Sequence, residues 1–182
     1  MEGGKKLLVL ALGMVFIALQ GCAPQYTISP ADTTAAKDAT FNIDIGLDHC
    51  VDIKIGRRHR FFCGDTSDVY GVAFDLNYDP AVVQFQSISV AGSVLSGTAA
   101  VTGFRNSAVD NGKLVVGISK SGQVAGESGQ GKVATITFKA LAAGSTQLTF
   151  KDPHLVNSSG KFLVGWPWYA ATLQKANVTV TP

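Results

Sequence analysis

Val69-Tyr-Gly-Val-Ala-Phe-Asp-Leu-Asn-Tyr-Asp-Pro80 decides how the rest of the chain is read. Phe74, Leu76 and Tyr78 alternate with Ala73, Asp75 and Asn77, the period of a strand with one face in a core. Asp79-Pro80 then supplies the chemistry of a sharp turn. The stretch is therefore expected to be a central strand with one buried and one wet face.

Working outward, the same pattern repeats. Tyr26 to Ile28 is a short first strand, and Thr40-Phe-Asn-Ile-Asp-Ile-Gly46 sets Phe41, Ile43 and Ile45 on one side. Further strands are expected at 82–91, 98–104, 113–119, 132–140, 146–151 and 175–181. They are broken at Asp79-Pro80, Gly92, Asn111-Gly112, the glycine-rich 122–131, Ala143-Gly144 and Asn157-Ser-Ser-Gly160. No stretch has the period of an amphipathic helix. Strands at this spacing describe an all-β sandwich.

Cys50-Val-Asp-Ile-Lys-Ile-Gly-Arg-Arg-His-Arg-Phe-Phe-Cys63 reads as a hairpin turning at Gly56-Arg57, with glycine at the first central position of a type II′ turn. That register sets Cys50 opposite Cys63, at a non-hydrogen-bonded position where side chains approach most closely. In an exported protein the two are expected to form a disulfide, adding about 3 kcal/mol for a loop of this size.

Export is read from the front of the chain. Lys5 and Lys6 precede an apolar run from Leu7 to Leu19, the layout of a secretory signal peptide. The run is too short for a membrane-spanning helix, which needs about 20 residues. Leu19-Gln-Gly-Cys22 resembles the lipobox of bacterial lipoproteins, which implies cleavage after residue 21 and a lipid, palmitate included, on Cys22. Ala23 stands where an inner-membrane retention signal would place aspartate, so the resemblance implies an outer-membrane lipoprotein, facing the periplasm or the cell surface. The expected organisation is a signal peptide at 1–21 and one domain at 22–182. Of 15 basic and 13 acidic residues, Lys5, Lys6 and Glu2 lie in the leader, leaving a net charge near +1 and no nucleic-acid footprint.

Phe74-Asp-Leu-Asn-Tyr-Asp-Pro80, Asn111-Gly-Lys-Leu-Val-Val-Gly117, Gly131-Lys-Val-Ala-Thr-Ile-Thr-Phe-Lys139 and Ala176-Asn-Val-Thr-Val180 together resemble the cohesin domain. Ala36-Lys-Asp-Ala-Thr-Phe-Asn-Ile-Asp-Ile45 is similar to that family's second strand. The resemblance covers most of 25–181 and implies a nine-stranded jelly-roll β-sandwich, related to family 3 carbohydrate-binding modules, with no catalytic activity. Residues 47–68 stand where cohesins have a short loop, so the hairpin is expected to be an insertion. Cohesins bind dockerins mainly through one sheet face. Here Gly71 and Ala73 occupy the outward positions and offer no side-chain hydrogen bonds, which makes a dockerin-like partner doubtful.

Other motifs resolve toward structure. Gly126-Glu-Ser-Gly-Gln-Gly-Lys132 fits the start of a phosphate-binding loop, but Val133 replaces the magnesium-binding hydroxyl and the following residues read as a strand where a helix is needed. His49, Cys50, His59 and Cys63 are zinc-ligand types, but His59 pairs with Lys54 and lies too far along the strand from Cys63 to converge with it. Ser119 lacks the second glycine of a nucleophile elbow, His154 has no evident serine partner, and Ser158-Ser-Gly-Lys161 falls in a turn. No enzyme, metal or cofactor is expected.

Two surface features carry the expectation of binding. Arg57, Arg58 and Arg60 with Phe61 form a basic, aromatic hairpin tip, suited to an acidic protein face or anionic group, or simply solvated. Trp166-Pro-Trp168-Tyr169 is an aromatic platform for a polysaccharide or a plug at one end of the sandwich. Two functions follow: a lipid-anchored binding and scaffolding module for an envelope or extracellular protein, or a polysaccharide-binding lipoprotein.

Overall fold

The computed structural model describes residues 25–48, 50–55, 58–63, 68–95, 97, 100–106, 112–128, 130–164 and 172–182. Within them fourteen strands and no α-helix form, in the order β1 Gln25–Ser29, β2 Asp32–Ala36, β3 Thr40–Asp48, β4 Cys50–Ile55, β5 Arg58–Cys63, β6 Val69–Asn77 and β7 Val83–Ser89. The chain continues with β8 Ala100–Asn106, β9 Lys113–Ser119, β10 Gly131–Ala140, β11 Gly144–Asn157, β12 Phe162–Val164, β13 Thr172–Leu173 and β14 Lys175–Thr181.

One sheet runs β13-β1-β3-β10-β7, and the facing sheet runs β2-β14-β11-β6-β9-β8 with β12 beside β11. The hairpin β4-β5 is a third, separate sheet. Its register pairs Cys50 with Cys63 and Lys54 with His59, as the turn position requires. With the hairpin and the short β12 and β13 set aside, ten strands form the two-sheet sandwich where nine were expected, because the first strand is divided into β1 and β2. That strand changes sheets at Pro30, which has no N–H for a ladder.

The alternation in sequence maps onto the core. Ile43, Ile45, Leu47, Ile136 and Phe138 point inward from one sheet, and Phe74, Leu76, Leu114, Val116, Ile118 and Leu148 from the other. β2 shows no period in the sequence because only Ala35 of its five residues is buried. β11 extends well past the expected end at residue 151. There Asp152 and Pro153 together oppose a single residue of β6, a bulge in which Asp152 takes φ 46°. The bulge shifts the inward parity from Leu148 and Phe150 to Leu155.

Tyr26 reaches this bulge from the opposite sheet. Its ring packs against Phe74 and Phe150 at centroid distances of 5.8 and 5.5 Å, and those two meet edge to face at 5.3 Å. Its hydroxyl crosses from one sheet to the other and donates to the carbonyl of His154 at 2.8 Å, with the carbonyl of Ala73 at 3.3 Å. Burial pushes this hydroxyl far above the ordinary tyrosine range, so it stays a neutral donor. Tyr26→Phe keeps the ring but removes the buried hydroxyl that reaches both carbonyls; a loss of about 1–3 kcal/mol is expected. Thermal unfolding should read this as a Tm drop on the order of 5 °C.

Candidate protein-interaction face

The outer face of β11-β6-β9-β8 follows from the register. Residues His154, Ala73, Gly117 and Gly103 lie in one row across the four strands, and Val156, Gly71, Ser119 and Ala100 in the next. A third row contains Lys151, Asp75, Val115 and Arg105. The first two rows are dominated by residues with little or no side chain, so the sheet is hollowed where neighbouring strands would ordinarily raise a ridge. The hollow has a volume of about 190 Å³, with His154 and Val156 along one side and Ser119 on the other.

This corrects the expectation of a wet outer face for Val69 to Pro80. Gly71 is buried, because a Cβ there would meet Val156 Cγ2 at 3.0 Å and Ser119 Cβ at 3.2 Å. Asp75 is also buried, at 7% exposure, and takes Lys113 Nζ at 2.5 Å. A central strand has neighbours on both sides, and their side chains close over its small residues.

The rim is more apolar than the sequence suggested. Phe162, on β12, is 66% exposed and its ring lies 5.6 Å from that of His154. Val115 is 37% exposed on the same face. His154 Nδ1 and Asn77 Nδ2 are buried without a hydrogen-bond partner among the described residues. The period of the sequence ends this strand before Asp152-Pro153, so it places neither His154 nor Phe162 on the face. Alternation resuming in Leu155 after that pair is the signal that could have carried the strand onward.

The fold also places the residues of the motifs that the sequence set aside. His154 and Ser119 stand in different rows on β11 and β9 with β6 between them, more than two strand spacings, or about 9.6 Å, apart along the backbone, beyond the reach of a proton transfer. Ser158 Oγ instead donates to Asp68 Oδ2 at 2.7 Å. The phosphate-loop look-alike leads into β10, a strand. Among the described residues no three His, Cys, Asp or Glu side chains cluster as metal ligands. Arg58, Arg60 and Phe61 fall on β5, while Cys22, Arg57, Trp166, Trp168 and Tyr169 lie outside the described residues.

Asp68 secures the end of the sandwich where the hairpin leaves it. Oδ1 accepts from the Gly126 N–H at 2.8 Å and Oδ2 from the Ser158 N–H at 3.3 Å, in addition to the Ser158 hydroxyl. Val69 and Glu127 exchange backbone hydrogen bonds beside it, and Lys120 pairs with Glu127. The Ser158 hydroxyl first, then the Gly126 N–H, hold the Asp68 carboxyl below its ordinary range. The contribution of such a group is full above the unfolded pKa near 3.8 and is lost as pH falls through the lower folded value. Melting wild type and Asp68→Ala across pH should show a Tm gap that is constant near neutrality and narrows on acidification below about pH 4.

The comparisons agree with this geometry. The cohesin domain profile matches residues 63–161. A type I cohesin of Clostridium thermocellum, solved in complex with its dockerin, superposes with a TM-score of 0.63 at 10% identity, covering 87% of this chain and 99% of that one. A cohesin module from a Clostridium perfringens family 33 glycoside hydrolase gives 0.62 at 11% identity, covering 88% and 98%. A non-cellulosomal cohesin from the archaeon Archaeoglobus fulgidus gives 0.60 at 14% identity, covering 88% and 93%. No curated protein sequence matches. These superpositions establish a shared fold, and the profile, spanning more than half the residues, establishes that the chain belongs to the cohesin domain family.

Proposed function

We propose that this chain is a non-catalytic, lipid-anchored protein-interaction module of the cell envelope that docks its partner on the outer face of β11-β6-β9-β8. The observation that carries the reading is the hollow over Ala73 and Gly117 with exposed Phe162 and Val115 at its edges. A concave apolar centre with Lys151 and Lys113 at its border has the layout of a protein interface, with a desolvated middle and a polar rim. Cohesin structures solved as dockerin complexes support a protein partner. The hollow offers few side-chain hydrogen bonds, so the partner suited to it brings apolar side chains to the centre, unlike a dockerin that relies on polar contacts there.

The anchor is Cys22, through the lipobox it closes, and the site of action is the outer membrane. A disulfide between Cys50 and Cys63 stiffens the hairpin; the register that sets the two residues opposite each other supports it.

Crosslinking on intact cells followed by mass spectrometry would name the envelope partner, and affinity can then be measured against variants. Ala73→Arg, which fills the hollow from a half-buried position, should weaken binding at least tenfold, while Arg58→Ala with Arg60→Ala leaves it unchanged. The opposite pattern would move the docking site to the hairpin. Intact-mass analysis of the membrane fraction should show a chain beginning at an acylated Cys22, 2 Da lighter than its fully reduced form. Cys22→Ala should release the protein from the membrane.

A further inference from the structure

The front of the domain fixes which end of the sandwich meets a membrane. β1 begins at Gln25, three residues after Cys22, and Gln25 pairs with Asp48 at the end of β3. Cys50 opens β4 two residues further on. The base of the hairpin and the first residue of β1 therefore share one end of the sandwich. Three residues span at most about 11 Å, so acyl chains on Cys22 would bring that end down to the headgroup layer. A short tether of this kind holds a domain at a bilayer without setting how it stands there.

The hairpin has the composition to set it. β4 and β5 form a ladder of their own and, among the described residues, pair with neither main sheet. An isolated two-stranded hairpin is marginally stable in water and gains from a surface that covers one face. Directly opposed residues share a face. The register sets Val51 opposite Phe62, Ile53 opposite Arg60 and Ile55 opposite Arg58, so one face combines three aliphatic residues, a phenylalanine and two arginines. Asp52, Lys54, His59 and Phe61 take the other.

That mixture selects the occupant. At a bilayer interface apolar side chains enter the acyl boundary while guanidinium groups meet phosphates. The charge has the matching sign: across β4 and β5, Lys54, Arg58 and Arg60 stand against Asp52 alone, in a mature chain near +1 overall. An acidic protein surface would satisfy the arginines and leave the row of Val51, Ile53 and Ile55 uncovered. A bilayer covers both, and the tether already brings it within reach.

We infer that the β4-β5 hairpin is a second membrane contact, its Val51, Ile53, Ile55 and Phe62 face lying against anionic phospholipid with Arg58 and Arg60 on the phosphates. It stands the sandwich on this end, so that β1 rises from the membrane and the face of β11-β6-β9-β8 is presented sideways to a partner. The upright placement rests on the anchor at Cys22 proposed above; the hairpin's affinity for lipid does not.

The test separates the two. The mature protein made without its lipid, as Cys22→Ser, is sedimented with vesicles of phosphatidylcholine alone or mixed with phosphatidylglycerol. It should sediment with the anionic vesicles only, and less as salt rises. Each basic residue near an anionic surface is worth about fivefold in partitioning, so Arg58→Ala with Arg60→Ala should weaken binding at least tenfold. Ile53→Ser with Phe62→Ser keeps every charge and should weaken it as well; circular dichroism checks folding, and the arginine pair carries the test if the apolar variant does not fold. No sedimentation with anionic vesicles, equal sedimentation with neutral ones, or binding that survives the arginine change overturns the inference. So does loss of affinity for the crosslinked envelope partner in the arginine variant, which would make the hairpin a protein-docking element. An unacylated Cys22 in the intact mass overturns the anchor and the upright placement, and leaves the vesicle result to decide the hairpin.

Discussion

The sandwich depends on one side chain that belongs to both of its sheets. Tyr26 starts on β1, passes between Phe74 and Phe150, and ends on the carbonyls of Ala73 and His154. Those carbonyls lie at the β11 bulge, where two residues oppose one and the ladder is interrupted. A buried carbonyl without a donor is costly, and a phenol hydroxyl is among the few groups long enough to reach it from across a core. The irregularity that turns His154 and Val156 outward is thus supported from inside by the opposite sheet.

That coupling ties the core to the two outer faces. On one, small residues over β6 and β9 leave a hollow bordered by His154, Val156 and Phe162. On the other, Gly46 leaves a hole in a field of hydroxyls and carboxylates. The same device, a missing side chain in a row of strands, yields an apolar concavity on one side and a polar one on the other. Their neighbours decide the difference: Val156 and Val115 against Asp44, Asp48 and Lys132.

Much of the strand order was legible because a half-buried strand advertises itself. Phe41, Ile43 and Ile45, or Val178 and Val180, alternate with polar neighbours, and the structure buries those isoleucines and valines together. The hairpin register followed from the position of its turn alone. What lacks alternation stayed hidden: β2 has a single buried residue, and β12 and β13 are too short to show a period.

By itself the sequence determined the class of fold, the register that sets Cys50 opposite Cys63 and the absence of a phosphate-loop helix, since each depends on local period or on counting from a turn. Only the tertiary structure decided which small residues face a hollow and which are covered. Gly71, Ala73 and Gly117 look alike along the chain, and their surroundings come from strands distant in sequence. It alone also carried β11 through Asp152-Pro153, where a bulge interrupts the register and a tyrosine distant in sequence donates to the His154 carbonyl.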